Sequence, residues 1–218
     1  MAFPYAIKLI IMFSGELGQG KEAFAKLSSE LERQADIYED LGVTKDAIMK
    51  LLAPRPEGLP AYLIIPVVTL GTSVDLKRQA DLAGIKAYYD LSSGSDTAGG
   101  ITFDVPHLIW MQDGSKYLGK SVEWVRSHLE GNERPATQYD GVALGIVIPD
   151  FRKVLKNHPL NLPGTSVLDD NAPYLHDWKE GPWLGHCIVR LVDPDSGSAT
   201  CGSISTSGFL YITSRISS

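Results

Sequence analysis

The sequence predicts an α+β protein, on three observations. An amphipathic helical run occupies Lys21 to Leu41, short apolar runs of strand character lie between Ala61 and Met111, and the last third alternates strand-like runs with turn residues. The elements read as an N-terminal helical hairpin, a mixed or antiparallel sheet with short helices, and a β-rich C-terminal third. A single domain over residues 1–218 is expected, with a helical part at 21–53, an α/β middle at 61–158 and a β-rich part at 165–213. Internal repeats and a sustained βαβ cadence are both missing from the pattern.

In the first part Phe24, Leu27, Leu31, Tyr38 and Leu41 recur at helical spacing, with Ala35 filling the gap and Glu30, Glu32, Arg33, Asp36 and Glu39 on the other face. Gly42 suits a helix stop, and Thr44 caps a second short helix carrying Ala47, Ile48, Leu51 and Leu52. Ala61 to Leu70 is the strongest strand candidate, with Pro66 removing a ladder donor and so marking an edge or a bulge. Ser73 or Asp75 caps a helix to Ala83, followed by Gly84. Ile85, Ala87, Tyr89 and Leu91 then alternate with Lys86, Tyr88 and Asp90, as in a half-buried strand.

Ser92 to Gly100 reads as a loop and Val105 to Met111 as a strand, with a turn at Asp113-Gly114. Val122, Val125 and Leu129 share one helix face, with Trp124 and His128 together beside it. Thr137 and Asp140 have the spacing of a capping box, and Pro149 precedes a further short helix from Asp150 to Leu155. Strands are expected at Tyr174 to Trp178, Trp183 to Val192 and Phe209 to Ile212, with Trp178 and Trp183 packing across a hairpin.

The composition is that of an ordinary globular chain, with 44% apolar and 21% charged residues, so wholesale disorder is not expected. A net charge of −6 with scattered Lys and Arg argues against a nucleic-acid partner. No window is apolar over the length a bilayer requires, so no membrane partner is expected. The opening MAFPYAIKLIIMF has a short apolar run, a single charge at Lys8 and no clean small-residue cleavage site, and so does not read as a signal peptide. Cys187 and Cys201 are too few for a disulfide framework, and two free thiols in a cytoplasmic protein are the expectation.

One pattern carries a named chemistry. Gly114, Gly119, Lys120 and Ser121 spell G-x-x-x-x-G-K-S, the phosphate-binding loop in which backbone N–H groups and a helix N-terminus surround phosphate. An apolar run precedes it and a helical run follows. Against it, Tyr117 and Leu118 put bulk where a phosphate-wrapping loop favours small residues, and a turn plus an N-cap explains the same letters. The fold pattern also lacks the parallel sheet such a loop requires, and a second acidic motif at Ile146 to Asp150 contains Pro149 and reads as helical.

His176, Asp177, His186, Cys187 and Cys201 cluster in sequence without any zinc spacing. A hydrolase built on that region is the remotest option, because His186 and Cys187, adjacent on a strand, point to opposite faces. The Asp193 to Ser196 loop lacks the glutamate a calcium loop needs and reads as a turn.

The stretches LERQADIYEDLGV (31–43), AYLIIPVV (61–68), ATQYDGVALGIVIPDFRKVLKNHPLNLPGT (136–165) and SATCGS (198–203) resemble a family of uncharacterised bacterial proteins known only as a domain of unknown function. The resemblance spans about Leu31 to Ser203 and brings no activity, cofactor or catalytic residue. The expectation is therefore a small-ligand or protein-binding module without a cofactor. The alternative is a nucleotide-binding hydrolase using Gly114, Gly119, Lys120 and Ser121.

Overall fold

The computed structural model describes residues 21–54, 63–96, 101–112, 122–129, 133–155, 159–167, 171–178 and 181–186. It opens with helix α1 (Lys21–Tyr38), which runs into a 3-10 turn (Glu39–Leu41) and stops at Gly42, whose φ of 82° is left-handed. Helix α2 (Lys45–Met49) folds back, capped by the Thr44 hydroxyl accepting from Ala47 N–H. The expected helical hairpin is present, with one correction. Leu27, Leu31, Ala35, Tyr38 and Leu41 are buried, but Phe24 is 41% exposed, since it lies in the first turns, ahead of the part of α1 that meets the core.

Strand β1 (Leu63–Thr69) is followed by helix α3 (Leu76–Leu82), short strands β2 (Lys86–Ala87) and β3 (Ser95–Asp96), and strand β4 (His107–Gln112). Helices α4 (Val122–Ser127), α5 (Gln138–Val147) and α6 (Phe151–Leu155) come next, then β5 (Leu160–Asn161), β6 (Thr165–Ser166), β7 (Pro173–Trp178) and β8 (Gly181–His186). Among these, β1 and β4 form an antiparallel ribbon, β2-β8-β7-β5 a mixed sheet, and β3-β6 a small ladder. The mixture of helices with open, largely antiparallel sheets is the α+β class that the pattern predicts.

Helix α5 is the centre of the packing. It touches α1, α3 and β1 on one side. On the other, Gly141 lies so close to the mixed sheet that a Cβ there would stand 2.5 Å from a Leu162 methyl and 3.1 Å from one of Leu175. One cluster of buried side chains runs from Leu27 to Leu184 through this helix. Its start is fixed by the predicted capping box: Thr137 Oγ1 accepts from Asp140 N–H, and the Asp140 carboxylate accepts from Thr137 N–H at 2.8 Å. The same carboxylate takes both Arg134 Nη atoms, at 2.7 and 3.0 Å, in a pair that is almost wholly buried.

The β1 strand has β4 on one side only, with a register shift between Leu63 and Ile65. Its other edge is closed by α1 side chains. Gln34 Nε2 donates to Pro66 O (2.9 Å), Gln34 Oε1 accepts from Val68 N–H (2.8 Å), and Tyr38 Oη donates to Val68 O (2.5 Å). Pro66 therefore turns its nitrogen away from β4, where the missing N–H forfeits no ladder bond. Burial raises the Tyr38 phenol far above its ordinary range, so it remains a donor.

The Ile85–Leu91 strand is shorter than its alternation suggests: only Lys86 and Ala87 pair with β8, in parallel. The alternation itself holds, with Ile85 buried and Tyr88 52% exposed. The expected tryptophan pair across the β7–β8 hairpin involves the Trp178 side chain, which lies outside the described residues. Trp183 stands opposite His176, while Trp178 pairs with Gly181, and the Trp183 ring stacks on Tyr88 at 4.2 Å between centroids. Val122, Trp124 and Leu129 pack around buried Val125, as the helical spacing predicts, and Trp124 stacks on His128 at 4.1 Å.

Candidate functional site

An open groove of about 900 Å³ lies between α3 and the segment Ile85–Ser92, with Tyr139 of α5 at its base. Its walls follow from local sequence. The Asp75 side chain accepts from Arg78 N–H and starts α3. Gly84 ends the turn after α3 with a φ of 65°, and Ile85 N–H then bonds back to Ala80 O at 2.8 Å. The chain leaves α3 and at once becomes the opposite wall.

The far end of that wall is tied to α5. Tyr89 Oη donates to Gln138 Oε1 (3.0 Å), Gln138 Nε2 donates to Leu91 O (3.2 Å), and Gln138 N–H bonds Thr165 Oγ1 (2.9 Å). The buried Arg134–Asp140 pair, by fixing the start of α5, thus also fixes the residues that hold the groove open. Leu76, Ala80, Ile85, Ala87, Tyr89 and Tyr139 are among the apolar lining, and Asp75, Lys77, Asp81, Lys86, Asp90 and Ser92 supply most of the polar part.

Burial raises the phenol of Tyr89 well above its ordinary value, and burial with the nearby Asp75 and Asp96 charges raises Tyr139. Both therefore act as neutral hydrogen-bonding groups, not as bases. The Asp90 carboxyl is held below its usual range by the Ser92 N–H and hydroxyl, and stays ionised. Lys77 pairs with Asp81 at 2.7 Å. Among the described residues neither Asp75 nor Asp90 has a cationic partner within ion-pair distance.

A second cluster lies on the mixed sheet. Its pairing register sets Lys86, Trp183 and His176 in one row, and Tyr88, Gly185 and Tyr174 in the next. Tyr88 stacks on Trp183, His176 is tilted 5.0 Å from Tyr174, and the Lys86 amine stands 5.3 Å from the Trp183 ring. Leu160, Leu175 and Leu184, of opposite phase, face the core. Partial burial lowers the His176 imidazole, against the opposing pull of Asp177.

Gly114, Gly119, Lys120 and Ser121 lie outside the described residues. Their flanks are described: strand β4 precedes them and helix α4 follows, but β4 runs antiparallel to β1. Ile146 and Val147 form the last turn of α5, the helical reading of that segment, and Asp150 sits in an exposed turn at φ 57°. His176 and Asp177 point to opposite sheet faces, Asp177 bonding Arg152 Nε at 2.6 Å. The side chain of His186, with Cys187 and Cys201, is outside the described residues, as is the 193–196 loop. Among the described residues no three His, Cys, Asp or Glu side chains gather as metal ligands, and no helix is long and apolar enough to cross a membrane.

Sequence reasoning found the capping residues and the alternation of the groove wall, but not the groove. Asp75 at a helix start, Gly84 at its end and Tyr89 on the inward phase were the available signals. Compared with family models, with curated proteins and with solved structures, the chain matches none.

Proposed function

We propose that this chain is a binding module whose site is the groove between α3 and Ile85–Ser92. The observation that carries this reading is the groove itself: about 900 Å³ of open space, near the upper end of ordinary ligand sites, lined by both apolar and polar side chains. Its walls are held by hydrogen bonds from Gln138, Tyr89 and Ile85, so it is formed before any ligand arrives. Ligand-observed NMR with a library of small polar fragments tests it. Fragments should bind the wild type and lose that binding in Ser92→Trp, which fills the rim. Fragments bound equally by both proteins would refute the assignment.

One observation favours a second reading, nucleotide binding by Gly114, Gly119, Lys120 and Ser121: a strand before them and a helix after them. The antiparallel setting of β4 counts against it. Calorimetric titration of ATP and GTP with Mg²⁺ separates the two, since micromolar binding abolished by Lys120→Ala would establish the second.

A further inference from the structure

The groove runs along a sheet edge. Among the described strands, β2 is the outermost of the mixed sheet, and its outer side faces α3 across the open space. Ala87 pairs with Leu184 in parallel, and Tyr88 N–H donates to Leu184 O at 3.0 Å. In a parallel pair this arrangement turns Lys86 C=O and Tyr88 N–H towards β8, and so turns Ala87 N–H and C=O towards the groove. A strand edge beside an open channel is a template for one more strand.

The charge of the channel selects what that strand carries. Lys77 and Asp81 neutralise each other, and Lys86, also in the lining, holds its amine 5.3 Å from the Trp183 ring. Asp75 and Asp90 have no ion-pair partner among the described residues, and with Asp81 they outnumber the two lining amines of Lys77 and Lys86. We infer that the groove takes an extended, lysine- or arginine-bearing peptide segment of a partner protein. The segment pairs its backbone with Ala87, lays alternate side chains over Tyr89 and Tyr139, and presents its cations to Asp75 and Asp90. This rests on the groove being the binding site and names its occupant.

The test uses a fluorescein-labelled hexapeptide of alternating lysine and valine, the same peptide N-methylated at its central amides, and a glutamate–valine counterpart, all followed by fluorescence anisotropy. The lysine peptide should bind the full chain, and central N-methylation should weaken it by about tenfold or more, the effect of losing one or two backbone bonds. Ala87→Pro removes the outward N–H without touching the bonds to β8, and should weaken binding to a similar degree, with an unchanged melting temperature showing that the fold survives. Asp75→Asn with Asp90→Asn keeps the cap and the Ser92 turn while removing both charges; it should weaken binding several-fold and flatten the salt dependence. No binding of the lysine peptide, equal binding of the N-methylated form, or tighter binding of the glutamate peptide would overturn the inference. Fragments that bind the wild type and are lost in Ser92→Trp, without peptide binding, would defeat this inference alone. A groove that binds neither defeats both readings.

Discussion

Among the described strands, β1 and β2 each have a single hydrogen-bonded neighbour, and the molecule treats their second edges in opposite ways. The outer edge of β1 is closed: Gln34 reproduces with one amide the donor and acceptor of a missing strand, and Tyr38 takes the next carbonyl. The edge of β2 faces an open groove, with α3 on its other side. An uncovered edge is a liability that proteins ordinarily blunt. That one edge here is satisfied by buried side chains while the other is left beside a channel lined with charged residues separates structural polarity from polarity available to a partner.

The closed edge is the easier to break, and with the larger effect. Gln34 is fully buried, and Gln34→Leu leaves Val68 N–H and Pro66 C=O without partners in the core. At about 1–3 kcal/mol for each orphaned group, a loss on the order of 2–6 kcal/mol is expected, read as a lower urea midpoint. An unchanged midpoint would mean that the β1 edge is not sealed by this side chain.

The open edge should give a far smaller effect. Ala87→Pro removes an N–H that has no partner among the described residues, at an edge position where proline is tolerated, and stability should stay within about 0.5 kcal/mol of wild type. A loss of several kcal/mol would show that Ala87 N–H has an intramolecular role, and would remove the contrast.

The smallest effect concerns the sheet face next to β2. Burial lowers the His176 pKa in the folded state, so the unfolded chain binds the proton more readily. Stability that His176 leaves intact above its unfolded value, near 6.5, is therefore lost as pH falls through and below it. The change is modest because the ring is only half buried. His176→Asn should flatten the decline of melting temperature between about pH 7 and 5. A steeper decline in the variant would reverse the sign assigned to burial.

Much of the fold was legible because it is local. The Thr137–Asp140 capping box, the Gly42 stop, the Asp75 cap and the phase of Ile85 to Leu91 each depend on residues within a few positions. What depended on distant partners was not. Gln34 reads as one more polar residue beside Arg33 on α1, and nothing near it announces that its amide completes β1. The Ile85–Leu91 alternation correctly sorts inward from outward residues, but the two-residue length of β2 is set by β8, far along the chain. Phe24 has the right spacing and too little core to meet it, being 41% exposed. The groove needed three elements at once, α3, β2 and α5, and no motif spans them.

Amide hydrogen exchange at two residues tests the contrast most directly. Val68 N–H is bonded to Gln34 Oε1 in the core, so it should exchange only through large-scale opening. The Ala87 N–H, facing the groove, should exchange orders of magnitude faster in the free protein and slow when the lysine–valine hexapeptide is added. Strong protection of Ala87 in the free protein, comparable to that of Val68, would contradict the account.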